Sequence, residues 1–157
     1  MAVVERLRRF LDENGVVYEV AVHPERYTAQ EVAAASHVSG KALAKVVIVK
    51  TGGAFAMTVL PAACRMGLQR VRDLLGDPGA TLAAESEFRG LFPDCEPGAE
   101  PPFGNLYGIP VYVDDELAAR GRITFEAGNH HEVVTMQYAD FARLVQPLQA
   151  EICAHAA

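Results

Sequence analysis

The stretch from Ala42 to Pro61, ALAKVVIVKTGGAFAMTVLP, limits most strongly what this chain can become. Two runs rich in β-branched and aromatic residues flank Gly52-Gly53. Such runs around a Gly-Gly pair form a tight β-hairpin, because glycine reaches the positive φ values the turn demands. Both runs are apolar over most of their length, which places them centrally in a sheet. Lys45 is the exception, interrupting ALAKVVIV where its i±2 neighbours are Leu43 and Val47. An ammonium on a central strand must reach an edge, pair with an acid, or sit in a pocket where it meets an anion. Lys41 and Lys50 read as ordinary solvated lysines, and that reading stays open for Lys45. The other reading makes Lys45 a point-charge partner for an oxyanion or a phosphate.

The remaining pattern fills in around the hairpin. Val3, Val4, Leu7, Phe10 and Leu11 recur at helical spacing, and Gly15 follows as a stop. VVYEVAVH alternates, which predicts a half-buried strand with Val16, Tyr18, Val20 and Val22 on one face. Thr28 and Glu31 form a capping box that opens a short helix to Ala35, followed by a loop at SHVSG. Helices are expected at residues 68–75 and about 84–91. FPDCEPGAEPPFGNLYG holds four of the nine prolines, too many for an element interior, so it is a long ordered loop or lid. IPVYVD, RITFEAG and EVVTMQY read as three more strands, and a last helix spans 139–145 before Pro147. Strands arriving in consecutive groups predict an α+β fold with a mixed, mainly antiparallel sheet flanked by helices.

At 157 residues, half of them apolar, the chain is expected to form one domain over residues 1–157. No apolar run approaches the ~18 to 20 residues of a membrane span, and MAVVERLRRFLDENG lacks the pattern of a secretion signal. A cytoplasmic protein without a membrane partner is expected. Cys64, Cys95 and Cys153 are odd in number and contain no CxxC, which suits a reducing compartment and excludes a zinc knuckle. The net charge of −6 argues against non-specific coating of nucleic acid. The charge is unevenly spread, +4 through residue 72 and −10 beyond it, so an anionic ligand is expected to meet the first half.

Several common catalytic signatures are absent, namely GxSxG, HExxH, GxGxxG and the EF-hand loop. SHVSGKA resembles the end of a phosphate-binding loop, but alanines stand where its first glycine and its Ser/Thr belong. In EPGAEPPFG, Gly98 and Gly104 give backbone freedom while Pro97, Pro101 and Pro102 stiffen the segment. The loop is either a rigid connector or a set of N–H groups aimed at a ligand. Asn129-His130-His131-Glu132 reads as a turn beginning at Gly128 better than as a metal site, since adjacent histidines in an extended stretch face opposite ways. His23 and His37 read as structural, and His155 lies in a tail. Cys95, with no base identifiable in the sequence, reads as a small packed residue.

The strand lysine in GKALAKVVIVK, the hairpin to VLPA, the G-x-x-x-P spacing from Gly98 to Pro102, YGIPVYVD and the glycine of FEAG together resemble the YbaK/EbsC family. These are free-standing homologues of the editing domain inserted in bacterial prolyl-tRNA synthetases. The resemblance runs from about Arg6 to Pro147. It implies a trans-acting hydrolase of mischarged aminoacyl-tRNA that removes Ala, Cys, Ser or Thr without a metal or cofactor. The partners it implies are the acceptor end of tRNA and, beyond that, an aminoacyl-tRNA synthetase. The functional lysine falls on Lys45. The family's G-x-x-x-P loop falls on Gly98 to Pro102, which puts the backbone chemistry on Gly98 with Ala99, Glu100, Pro101 and Pro102 around the substrate. Gly128 and His130 are further substrate-binding candidates, but His130 and His131 have no family counterpart and their role stays open. A catalytically silent binding module of the same fold is the alternative, and a thiol hydrolase using Cys95 is a third.

Overall fold

The computed structural model describes residues 4–22 and 43–154. The Thr28–Glu31 capping box, SHVSG, Lys41, His23, His37 and His155 lie outside these residues. The described order is α1 (Glu5–Glu13), β1 (Tyr18–Val22), β2 (Ala44–Thr51), β3 (Ala54–Pro61), β4 (Arg65–Met66), α2 (Leu68–Leu75), β5 (Thr81–Leu82), α3 (Glu85–Phe88), β6 (Val111–Asp114), α4 (Asp115–Ala118), β7 (Arg122–Glu126), β8 (Glu132–Gln137), α5 (Tyr138–Val145), β9 (Leu148–Ala150) and β10 (Cys153–Ala154). The helix expected over 84–91 is one α-turn continued by a 3₁₀ turn at Arg89–Leu91.

The strands divide into a five-stranded sheet in the order β5-β2-β3-β6-β9, a three-stranded sheet β1-β8-β7, and the pair β10-β4. β3-β6 and β6-β9 are parallel and the other pairings antiparallel, so the fold is mixed and mainly antiparallel, as the grouping of strands predicts. The hairpin forms in the expected register, with Lys45 opposite Leu60 and Thr51 opposite Ala54. The strands expected at IPVYVD, RITFEAG and EVVTMQY do not share one sheet: β6 joins the hairpin, while β8 pairs with β1 and β7 on its two sides. A parallel bridge between Leu43 and Thr124 joins β2 to β7.

The two faces of β2 serve different cores. Ala44 and Ile48 join the large core, together with Met57, Val59, Val111 and Val113 of their own sheet, Ile123, Phe125, Val134 and Met136 of the other, and Leu7 and Leu11 of α1. Val49 and Leu60 face a smaller cluster with Val71 of α2, Ile152 and Cys153. Lys45 lies opposite Leu60, so it starts from this second face. The alternation in β1 overstates its burial. Val16 is buried just before the strand and Tyr18 is half-buried, but Val20 and Val22 are exposed. β1 pairs only with β8, so alternation identified a face that the described residues leave open.

Candidate active site

Lys45 is half-buried in an open groove of about 480 Å³, whose walls include Val47, Ala62, Ala63, Cys64, Arg65 and Leu82. Among the described residues it forms no ion pair. Loss of hydration on burial pushes its ammonium below the usual lysine range, opposed by the nearby Cys64 and Cys153 sulfurs and reinforced by Arg65. Lys50 differs, being exposed and bonded to Glu87 at 2.7 Å. Of the two readings the sequence leaves open, solvated strand lysine or pocket cation, the surroundings of Lys45 match the second.

The other expected site residues come together at the end of β7. The tip at Pro97 and Gly98 is exposed, whereas Ala99, Glu100, Pro101 and Pro102 are buried. The loop is tied down by Glu96 N–H donating to Gly128 O (2.8 Å) and Gly128 N–H donating to Ala99 O (2.9 Å). Phe103 anchors the far end among the rings of Phe10, Phe125 and Phe141. The long segment is thus an ordered, packed loop. Gly98 (φ +87°) and Gly128 (φ +96°) both adopt a backbone that L-residues rarely take.

His130 is the polar centre of this corner. Its Nε2 lies 2.8 Å from the Pro97 carbonyl, an acceptor only, which assigns a hydrogen to that nitrogen. Its Nδ1 lies 3.2 Å from Glu126 Oε2, and its backbone N–H donates to Glu96 Oε1 at 2.9 Å. One proton therefore has to sit between Nδ1 and Glu126 for the contact to be favourable. Burial pushes the Glu126 carboxyl up to about 7, with His130 opposing and Glu100 adding to the rise. Glu100 is also raised, again chiefly by burial.

The expected donor at Gly98 is already engaged: its N–H donates to Glu100 Oε2 at 3.1 Å. A buried carboxylate needs donors more than a solvated one does, so the loop satisfies its own acid first. For that amide to reach a substrate carbonyl, Glu100 must give way. The Asn129–Glu132 stretch is a turn, as expected, with Asn129 Oδ1 accepting the N–H groups of His131 and Glu132. Glu126 and Glu96 went unnoticed in the sequence, since carboxylates at alternate strand positions or in loops ordinarily face water.

Lys45 and the loop are separate in this arrangement, because the groove that holds the lysine includes none of residues 98–102. They are related through the seam between the sheets. Two residues beyond the Leu43–Thr124 bridge, along both parallel segments, stand Lys45 and Glu126. Strand alternation starts both side chains off on the same side of that seam.

The lysine groove lies on the five-stranded sheet and the His130–Glu126 pair at the end of β7 in the three-stranded one, and comparison with known proteins identifies the fold that carries them. The pattern of the aminoacyl-tRNA editing domain matches residues 23–144, well over half of the sequence. The chain belongs to that family. No curated protein matches this sequence. Among solved structures, hypothetical protein APE2540 superposes with a TM-score of 0.86 at 21% identity, covering 96% of this chain and 100% of that one. A candidate trans-editing enzyme for prolyl tRNA synthetase superposes at 0.85 with 20% identity and 99% of both chains covered. A candidate signal transduction protein from Marinobacter aquaeolei VT8 gives 0.73 at 14% identity, over 96% of this chain and 30% of that one. At these identities the likeness speaks for the fold. Among the described residues, no helix is long and apolar enough to cross a membrane.

Proposed function

We propose that this editing domain hydrolyses, in trans, the ester linking a small, wrongly attached amino acid such as Ala, Cys, Ser or Thr to the 3′ end of a tRNA. The observation that carries the reading is Lys45, a half-buried cation in an open groove, without an acidic partner among the described residues. A cation in that state gains most from an anion brought to it, and the terminal phosphate of an acceptor end supplies one. The aminoacyl ester is already activated, so hydrolysis needs a positioned water and polarisation of the carbonyl. Gly98 N–H serves the carbonyl once Glu100 releases it. The small Ala62 and Ala63 line the groove and suit a small side chain, while telling two small side chains apart by one methyl group yields only ~1 to 3 kcal/mol. Engagement is confined to the acceptor end, consistent with a net charge of −6. A synthetase that releases the mischarged tRNA is the natural neighbour in this scheme, and the cytoplasm its place.

Incubating the protein with tRNAs charged with each of these amino acids, and following ester loss, tests the reading. Accelerated loss of at least one ester is expected. Binding without any loss would favour the silent-module alternative.

A further inference from the structure

Three groups that the proposed reaction does not use converge beside Lys45. The ligand atoms of Cys64, Glu116 and Cys153 all lie within 4.8 Å of one another. The Cys64 thiol lies 3.2 Å from Glu116 Oε2, from a residue 52 positions away. Cys64 is half-buried, Glu116 exposed and Cys153 fully buried, so the cluster has an inner wall and an open side. Its framework is fixed independently of any ligand. Buried Asp114 accepts the N–H groups of Ile152 (2.7 Å) and Cys153 (2.8 Å) on Oδ1, and that of Glu116 (2.9 Å) on Oδ2. One carboxylate therefore holds the backbone of two of the three residues, as supporting groups do around metal ligands.

We propose that Cys64, Glu116 and Cys153 form a binding site for a borderline-soft divalent cation of the Zn²⁺ type, with solvent as the fourth ligand. Two sulfurs and one carboxylate oxygen are a donor set that zinc favours over magnesium or calcium. Zn–S bonds of ~2.3 Å and Zn–O bonds of ~2.0 Å place tetrahedral ligand atoms about 3.5 to 3.8 Å apart, so the widest separation contracts by about 1.3 Å at most while the 3.2 Å Cys64–Glu116 contact opens slightly. A thiol binds a metal as its thiolate, so binding forms two metal–sulfur bonds, breaks two S–H bonds and releases two protons to solvent, and tightens as pH rises. Two thiolates, a carboxylate and a dication leave one negative charge, which the Lys45 ammonium faces. The ion ties the turn after β3, α4 and β10 together at the wall of the lysine groove.

Titrating Co²⁺ into the reduced full chain, without tRNA, tests the site. The expected result is a thiolate-to-cobalt charge-transfer band that saturates at one equivalent, is erased by Zn²⁺ and tightens with pH. Cys64→Ser and Glu116→Gln should each weaken binding at least about tenfold, while Cys95→Ser leaves it unchanged. Cys64 is only half-buried, so its variant is expected to fold, and circular dichroism checks that it does. Zn²⁺ should raise the melting temperature of the wild type and not of Cys64→Ser. No band in the reduced wild type, or an undiminished band in folded Cys64→Ser, overturns the assignment. None of these readings depends on deacylation, so the proposal stands or falls apart from the proposed activity.

Discussion

Lys45 and His130 are both polar groups withdrawn from water, yet their surroundings differ in kind. Lys45 stands in an open groove with no acidic partner among the described residues, its charge disfavoured by burial. His130 is 6% exposed and engaged at both ring nitrogens and its backbone N–H. The first arrangement leaves binding energy unspent in the free protein, and the second directs its polar groups at the fold itself. The lysine lies open to the groove, whereas the corner of Glu96, Gly98, Glu126 and His130 holds a loop in one shape. A rigid loop and, in a separate groove, a cation without an acidic partner among the described residues are the two parts that the proposed ester hydrolysis would use.

The largest expected effect falls on the open side of this comparison. Lys45→Ala should abolish measurable single-turnover deacylation and leave the fold intact or slightly more stable, because burying that ammonium disfavours the folded state. Lys50→Ala should change little, since it removes only a solvent-screened surface ion pair with Glu87. A folded Lys45→Ala protein that still turns over would erase the functional side of the contrast.

The corner should yield two separable effects. Gly98→Ala adds a Cβ that meets the His130 ring at 3.5 Å (Cε1) and 3.8 Å (Nε2), ordinary contact, so the cost is the strain of φ +87°. The fold should survive while turnover falls by on the order of 10², as for loss of one oxyanion donor. Gly128→Ala combines φ +96° with a Cβ placed 2.8 Å from Val4 Cβ. It should cost about 2 to 4 kcal/mol of stability in denaturant unfolding. If the two variants lost stability equally, the tip and the base of the loop would not differ as described.

The shared proton gives the corner a pH signature. The Glu126 carboxyl in the folded chain stands at about 7 against an ordinary 4.5. A raised carboxyl contributes stability that is fully present below the unfolded value and is lost as pH rises through the folded one. Wild-type stability should thus decline between pH 4.5 and 7 relative to Glu126→Gln, by on the order of 2 kcal/mol for this mostly buried group. Unfolding both proteins across that range reads the difference directly. A difference that stays flat with pH would mean that no proton is held between Glu126 and His130.

The hairpin was legible because Gly52-Gly53 and the runs beside it are local signals, and Lys45 stood out against those runs. The GAEPP loop was legible as ordered, since its prolines and glycines exclude helix and strand alike. The exposure of Val20 and Val22 was not, because alternation says which side chains share a face and not whether another element covers it. β4, β5, β9 and β10 span two or three residues, too few for any period to show. Glu126 follows Thr124 by two, the spacing of a solvent-facing row, and its contact with His130 across the turn at Gly128 is a tertiary feature that this spacing does not show. The cluster of Cys64, Glu116 and Cys153 draws on three distant segments, so no motif announces it.

The smallest effect should come from Cys95→Ala, and its smallness carries information. Cys95 lies in the rigid loop, where a thiol nucleophile would have to act, yet its neighbours work against that role. Burial pushes its thiol up to about 12, with Asp94 and Glu100 adding to the rise and only the Tyr107 hydroxyl lowering it. At neutral pH that leaves roughly one thiolate in 10⁵, too few to compete with activated water. Removing the sulfur leaves Tyr107 still donating to Asp94 at 3.0 Å, so the local bonding survives. Turnover should change by less than about twofold, and alkylation of the wild type should not silence it through this residue. A dead but folded Cys95→Ala beside an active Gly98→Ala would move the chemistry from the backbone to the thiol and invert the roles assigned to the two ends of the loop.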